Sequence, residues 1–459
     1  MAIKAEAGSL LKLYEQVVPV VSWEELGGRG QIYTLPVVVE MMLLQRLSER
    51  GTQQEAVHAL LEGRMDGLLG KSKRVQSRRM SPNTGGYARA CGRVSVEKVE
   101  KICDQVLVEL SQLVEPAPKW GSPVMLLDGS SLRLEHTADI LGTFPASRNQ
   151  YGLGHWGILK WVALHDVVTG IAQRPAWGPM YGPEAVGEQS LAKQVLGRAP
   201  AGSIILGDGS FGIFMFVEEV VRGGHQALFR LNKAQALSLG GKTLPAQGEC
   251  SLCWKPSAAE RKKYPELADA EVKGRLIVRS APGFRDSLYL FTTLEQEADD
   301  IVALYSQRWN LELDLRTMKG TMRLEHLHGK SQAAIEKELL IAVIAYGLVR
   351  AFMATAARRT GIEPRALSFT RAYGLINAFS AKLCSTDPLL RQQTYERLLD
   401  YIAKSKLPNR SKPRSHPREV WGTGKYFPTK HHFGPLPKVS DVSLKARHIV
   451  ASIERSNRL

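Results

Sequence analysis

Along the first 113 residues, apolar positions recur three and four apart. In "LPVVVEMMLLQRLSERG" and "SVEKVEKICDQVLVELSQLV" that spacing predicts helices that bury one face. "SPNTGG" between them reads as a loop able to begin another helix, and "VEPAPKWGSP" as a Pro-rich boundary. Beyond it the period changes. "VMLLDG" and "ILKWVALHD" read as strands, the second turning through "VVTG" into "IAQRPAW". "EAVGEQSLAKQVLG" and "FGIFMFVEEVVRG" read as helices, "SIILGDG" and "QALFRL" as strands. Strands followed by alternating helices and strands predict an α/β fold with a mixed sheet. Residues 232–283 are polar and broken by Gly and Pro, with short strand candidates such as "GRLIVRS", and read as a strand-rich insertion. "SLYLFTTL" returns as a strand, a helix follows from about Gln296, and a long helix runs from about Ala333 to Arg359. The pattern thus predicts a helical N-terminal domain over 1–115, a core in two parts over 120–231 and 284–384 around the insertion, and a basic C-terminal region over 385–459. No internal repeat is visible.

Composition narrows the class. The chain has 459 residues, of which 44% are hydrophobic, enough for a real core in two or three domains. The longest apolar helical run, Leu339 to Val349, spans 11 residues before Arg350. That is short of the roughly 20 a bilayer span needs, so it reads as a core helix and no membrane is expected. Acids inside the apolar stretch of "MAIKAEAGSLLKLYEQVVPVV" argue against a secretory signal, and the protein is expected in the cytoplasm. Five cysteines form no disulfide framework, and the lone C-x-x-C of Cys250 and Cys253 reads as a structural pair on a strand or turn. The formal charge is +16, and two segments account for all of it: Lys71 to Arg93, with seven basic residues and no acid, and Tyr401 to Arg447, with eleven against Glu419 and Asp441. Charge this localised suits a polyanion, because neutralising phosphates releases counterions.

Candidate chemistry lies in "YSQRWNLELDLRTMKG", Tyr305 to Gly320. Read as one helix, Tyr305, Arg308, Glu312 and Lys319 are 3, 4 and 7 apart and share a stripe, beside an apolar stripe of Leu304, Leu311, Leu315, Met318 and Met322. Asp314 follows Glu312 by two positions, about 200 degrees around, and points nearly the opposite way. If one acid here serves a site it is Glu312, and Asp314→Asn should be mild by comparison. Taken alone, the polar stripe reads equally well as surface salt bridges worth a few tenths of a kcal/mol each.

Two strand-end acids shift that balance. Asp128 follows "VMLL" and Asp208 follows "IILG". Each also fits a turn before Gly, but a carboxylate at the end of a buried strand is expensive unless it opens into a crevice, where α/β sheets place ligands. With Glu312 they make three carboxylates, suited to two Mg²⁺ ions about 3.5 to 4 Å apart acting on a phosphodiester. Asp166 in "ALHD" is assigned a structural role in the turn before Gly170.

"YSQRWNLELDLRTMK" fits Y-x2-R-x3-E-x6-K and resembles the signature of bacterial insertion-sequence transposases of family 4, within the DDE superfamily. "HGKS", "DVVTG", "ILGDGSFG" and "SPNTGGYARA" also look like that group, so the similarity covers most of the chain. The resemblance implies a ribonuclease-H-like core and a DNA transposase that cuts and joins by metal-dependent chemistry, with Mg²⁺ as cofactor and Mn²⁺ able to substitute. It implies Asp128, Asp208 and Glu312 as catalytic metal ligands, with Tyr305, Arg308 and Lys319 holding DNA phosphates. Arg230 in "ALFRL" joins them as a candidate DNA contact. The implied partners are DNA with terminal inverted repeats, target DNA and a second copy of the chain in the DNA-bound complex, and the implied location is the bacterial nucleoid. Some relatives use a Trp in the insertion to accept a flipped base; Trp254 lies there without an alignment that assigns it that role.

Two other classes compete. "GDGSFG" satisfies G-x-G-x-x-G between a strand and a helix, but Asp208 would face the pyrophosphate, and "LFRLN" stands where a ribose-binding acid belongs. A non-catalytic DNA-binding protein would use the same basic segments and need none of the acids.

Overall fold

A computed structural model describes residues 32–66, 68, 69, 77, 79–114, 120–150, 152–241, 247–280 and 287–408. In chain order the helices and strands are α1 (Leu35–Leu47), α2 (Gln53–Leu61), α3 (Gly85–Arg93), α4 (Val96–Leu113), β1 (Val124–Leu134), α5 (Ala138–Thr143), β2 (Ala146–Asn149), β3 (Gly152–Asp166), β4 (Ala176–Pro179), α6 (Glu188–Leu196), β5 (Ile204–Gly207) and α7 (Phe214–Arg222). There follow β6 (Gln226–Leu231), α8 (Lys233–Gly240), β7 (Gly248–Trp254), α9 (Ala258–Lys263), β8 (Val272–Arg279), β9 (Leu288–Thr292), α10 (Ala298–Ser306), α11 (Trp309–Lys319), α12 (Gln332–Thr360), α13 (Phe369–Leu383) and α14 (Pro388–Lys404). They fall into two compact units, one drawn from Met1–Phe211, Glu219–Gln226 and Gln307–Leu407, the other from Gly212–Glu218, Ala227–Ser306 and Pro408–Leu459.

The first unit holds a mixed sheet. β1 runs antiparallel to β3 and parallel to β5, and β3 pairs antiparallel with β2 and β4 on its other edge. Val124 to Leu127 are all buried because β1 has a partner on each side there, which favours an unbroken apolar run over alternation. β5 has only four residues and ends at Gly207 opposite Leu127, whereas β1 continues to Leu134 along β3. The sequence placed the end of this strand at Asp128. The structure instead carries it onward as a half-exposed ribbon, and what ends beside Asp128 is its parallel partner.

α12 forms the core of this unit. Its N-terminus is capped by Ser331, whose side chain accepts from Ala334 N–H, and its C-terminus closes on Gly361 at φ 64, a left-handed conformation that glycine adopts without strain. Every residue from Leu339 to Ala357 is buried. A helix apolar all round must be enclosed, and α1, α4, α13 and α14 enclose it. Gly347 permits the closest approach: a Cβ there would stand 2.9 Å from a Leu107 methyl carbon of α4. The N-terminal helices are therefore part of the same packed unit. Lys337 of α12 reinforces this by donating to the Cys91 and Val94 carbonyls at 2.7 and 2.8 Å.

The second unit contains the antiparallel run β6-β9-β8-β7. Among the described residues of 232–283, expected as strand-rich, stand two strands and two α-helices, both helices started by capping boxes at Asn232/Gln235 and Ser257/Glu260 that the sequence reading passed over. Cys250 and Cys253, three apart on β7, point to opposite faces and are free thiols. Trp254 is 6% exposed, packed edge-on against Phe214 and Phe291.

The helix expected through Tyr305 to Gly320 is interrupted. α10 ends at Ser306 and α11 begins at Trp309, and in the first turn of α11 Asn310 and Leu311 bond back three residues, to the Gln307 and Arg308 carbonyls, instead of four. That tighter turn breaks the α-ladder. Of the two basic segments, Arg79, Arg89, Arg93, Lys404 and Lys406 are described and exposed. Residues 71–76 and 409–459 lie outside the described residues, as does the N-terminal stretch read as lacking a secretory signal.

Candidate active site

β1 delivers Asp128, whose side chain is 18% exposed and whose Oδ1 accepts from its neighbour Gly129 N–H at 2.8 Å. Asp208 follows β5 directly. Its Oδ1 accepts from the Ser210 amide at 2.9 Å and the Ser210 hydroxyl at 2.6 Å, an Asx-type turn that fixes the carboxylate. The first turn of α6 braces that turn, since Gln189 Nε2 donates to the Ser210 carbonyl at 3.1 Å. Ser210 and Gln189 were missed in the sequence; the D-x-S spacing of Asp208 and Ser210 was the available signal for the first, and only the fold reveals the second.

Glu312 comes from the first turn of α11, where a carboxylate is favoured by the helix dipole. Arg308 joins it to Asp128: its Nη2 donates to Glu312 Oε1 at 2.6 Å, and its Nη1 stands 3.6 Å from Asp128 Oδ2. Burial pushes the Asp128 carboxyl up to about 6, the Gly129 amide and Arg308 pull it back, and the negative charges of Asp208 and Glu312 add to the rise. Three acids from three separate elements thus share one electrostatic field, with a guanidinium between two of them.

The other candidates are placed differently. Lys319, on α11, is half-buried, and burial lowers its ammonium from the usual range against the opposing pull of Glu325. Tyr305 is 8% exposed in α10 and Arg230 is exposed on β6, both in the second unit. The predicted stripe is thus divided between two helices, with Tyr305 on α10 and Glu312 and Lys319 on α11. Gly212 in "GDGSFG" has a local reason: a Cβ there would stand 2.2 Å from the Arg230 carbonyl oxygen.

Asp314 does point away from Glu312, but into the interior, where it is 0% exposed. It accepts from Arg350 of α12 and from both terminal nitrogens of Arg365 at 3.1 and 3.0 Å. His165 Nδ1 approaches at 3.4 Å. Burial alone would raise this carboxyl, yet Arg350 and Arg365 hold it well below the usual carboxylate range. The mild outcome expected for Asp314→Asn rested on its pointing away from Glu312 and took no account of this burial. Asp166 keeps the role read for it, accepting from Val168 N–H, Thr169 N–H and the Thr169 hydroxyl at 3.1, 2.6 and 2.7 Å.

A divalent cation suits this donor set. Carboxylate oxygens are hard ligands, and a carboxyl lifted by burial, with the charges of Asp208 and Glu312 adding to the rise, gains from positive charge. Among the described residues no three such side chains stand at ligating spacing, and Arg308 occupies the position of positive charge between Asp128 and Glu312. It would have to turn aside for an ion to enter.

Comparison with known proteins decides the class. The family model described as "Transposase DDE domain" matches residues 119–348, half of the chain. The chain belongs to that family. It is a DNA transposase. Over 347 residues it is 25% identical to "Transposase InsG for insertion sequence element IS4" of Escherichia coli (strain K12), covering 73% of this chain and 76% of that protein. Over 97 residues it is 36% identical to "Putative transposase y4zB" of Sinorhizobium fredii (strain NBRC 101917 / NGR234), covering 21% and 26%. Over 96 residues it is 30% identical to "Probable transposase for insertion sequence element IS5377" of Geobacillus stearothermophilus, covering 21% and 25%. The matched domain of the transposase includes Asp128, Asp208, Arg308, Glu312 and Lys319, the residues the first unit supplies, as well as Arg230 and Tyr305.

Proposed function

We propose that this transposase cuts the ends of its insertion sequence and joins them to target DNA by metal-dependent phosphodiester hydrolysis and strand transfer. The proposal rests on the shared field of Asp128, Asp208 and Glu312, with Asp128 raised by burial and by the other two. Those three side chains would hold two Mg²⁺ ions, with Mn²⁺ able to replace them. Bound metal would activate the attacking oxygen and stabilise the leaving one.

The protein's own residues do the rest. Asp128 would bind metal as its carboxylate, the Ser210 amide and hydroxyl hold one Asp208 oxygen and would leave the other for a ligand bond, and Arg308 would exchange Glu312 for a DNA phosphate. A planar guanidinium suits that exchange because carboxylate and phosphate present the same bidentate edge. Lys319, Tyr305 and Arg230 are assigned to phosphates on the same reading. The β1–β3 pairing followed by a parallel β5 after α6 is the order expected of a ribonuclease-H-like core, formed by 120–231 and 284–384 and carrying 232–283 as its insertion. Residues 1–115 and the basic 385–459 are assigned to DNA, with two copies bridging a pair of ends in the bacterial nucleoid.

The test uses linear DNA carrying the terminal repeats. Asp128→Asn, Asp208→Asn and Glu312→Gln should each bind it and fail to cut in Mg²⁺. Retained cutting in all three sinks the proposal, and a wild-type protein that binds without cutting in either metal favours a DNA-binding protein without catalysis.

A further inference from the structure

We propose that Asp314 is a positioning residue for Glu312, fixing helix α11 against the β1–β3 pair so that the Glu312 and Asp128 carboxylates keep one spacing. The inference rests on the assignment of both as metal ligands. Glu312 and Asp314 leave α11 on opposite sides, one toward Arg308 and Asp128, the other into the interior. From Asp314 a continuous set of bonds returns to the first acid. Arg365 holds both Asp314 oxygens and also donates to the Asp166 and Val167 carbonyls at the end of β3. Val167 N–H donates to the Val124 carbonyl at 2.9 Å, and Asp166 pairs with Met125, three residues before Asp128 on β1. Arg350 ties the same carboxylate to α12.

A short helix needs such a fixture. α11 has 11 residues and no side-chain cap at its N-terminus. Its buried apolar contacts, Leu311, Leu315 and Met318, are non-directional and tolerate small slides and rotations. A bidentate guanidinium–carboxylate bond does not, because it sets angle as well as distance. Buried ion pairs of this kind add little net stability over apolar packing, so a geometric role accounts better for burying Asp314 with Arg350 beside a partly buried Arg365. Ligand placement is where that geometry matters, since Mg²⁺ demands near-ideal octahedral distances of about 2.0–2.1 Å.

Asp314→Asn, Arg365→Gln and Glu312→Gln would be prepared in the full chain, with folding monitored by thermal denaturation. Mn²⁺ affinity without DNA would be read by electron paramagnetic resonance, and cleavage of end DNA would be titrated with Mg²⁺. Outer-shell partners of metal ligands typically change affinity by about 10–100-fold. Folded Asp314→Asn and Arg365→Gln should show that loss in Mn²⁺ affinity and in Mg²⁺ half-saturation, unchanged affinity for end DNA, and recovered cleavage at high Mg²⁺. Glu312→Gln should not recover. If Asp314→Asn does not fold, Arg365→Gln carries the test. Wild-type metal dependence in the folded variants, beside an inactive Glu312→Gln, overturns the positioning role. An active Glu312→Gln instead overturns the site assignment beneath it.

Discussion

Asp128→Asn should stabilise the metal-free protein while ending its catalysis. The carboxyl is pushed up to about 6 in the fold against an ordinary 3.8. Between those values the unfolded chain has released the proton and the folded one has not, so stability falls as pH rises through this window and stays reduced above it. At ~1.4 kcal/mol for each tenfold change, the full loss is on the order of 3 kcal/mol. The side chain is 18% exposed, so water relieves part of it, and a net effect of about 1–2 kcal/mol at pH 8 is the working figure. Asn is isosteric, still accepts from Gly129 N–H and does not titrate. Urea unfolding in EDTA should therefore show the two proteins alike near pH 4 and the variant more stable at pH 8. Added Mg²⁺ should raise the stability of the wild type more than that of the variant. A variant equally or less stable at pH 8 in EDTA would refute the idea that Asp128 holds a buried, under-neutralised charge.

Asp208→Asn and Glu312→Gln should lose Mg²⁺-dependent cleavage of end DNA and keep their affinity for it in a gel-shift assay. Gly212→Ala puts a methyl 2.2 Å from the Arg230 carbonyl oxygen and should destabilise the protein by about 1–3 kcal/mol in chemical denaturation. Trp254→Ala removes a ring packed on Phe214 and Phe291 and should cost about 3–5 kcal/mol, a far larger effect than an exposed base-accepting Trp would show. Affinity for end DNA should fall log-linearly with salt, by about 0.9 for each phosphate neutralised, and more gently once residues 409–459 are removed. A salt-independent affinity would remove the electrostatic role given to the two basic segments.

Much of this was legible in one dimension because the signals are local. The helix of "ELLIAVIAYGLVRAFM", the strand of "VMLLDG" and the acid following "IILG" follow from periodicity and from where apolar runs stop. The spacing of Arg308 and Glu312, one helical turn apart, likewise forecast the bond between them. The interruption after Ser306 was not legible, because a turn bonded three residues back needs no Gly or Pro to announce it.

By itself the sequence determined the element types, the mixed α/β class, the concentration of positive charge and the separation of Glu312 from Asp314 around their helix. Each depends on residues within a turn or two of one another, where spacing is geometry. Only the tertiary structure decided that Arg308 reaches Asp128, 180 positions earlier, and that Asp314 is buried against Arg350 and Arg365 rather than solvated. Whether a charged side chain meets water or another charge depends on which distant segments pack over it, and no local pattern records that.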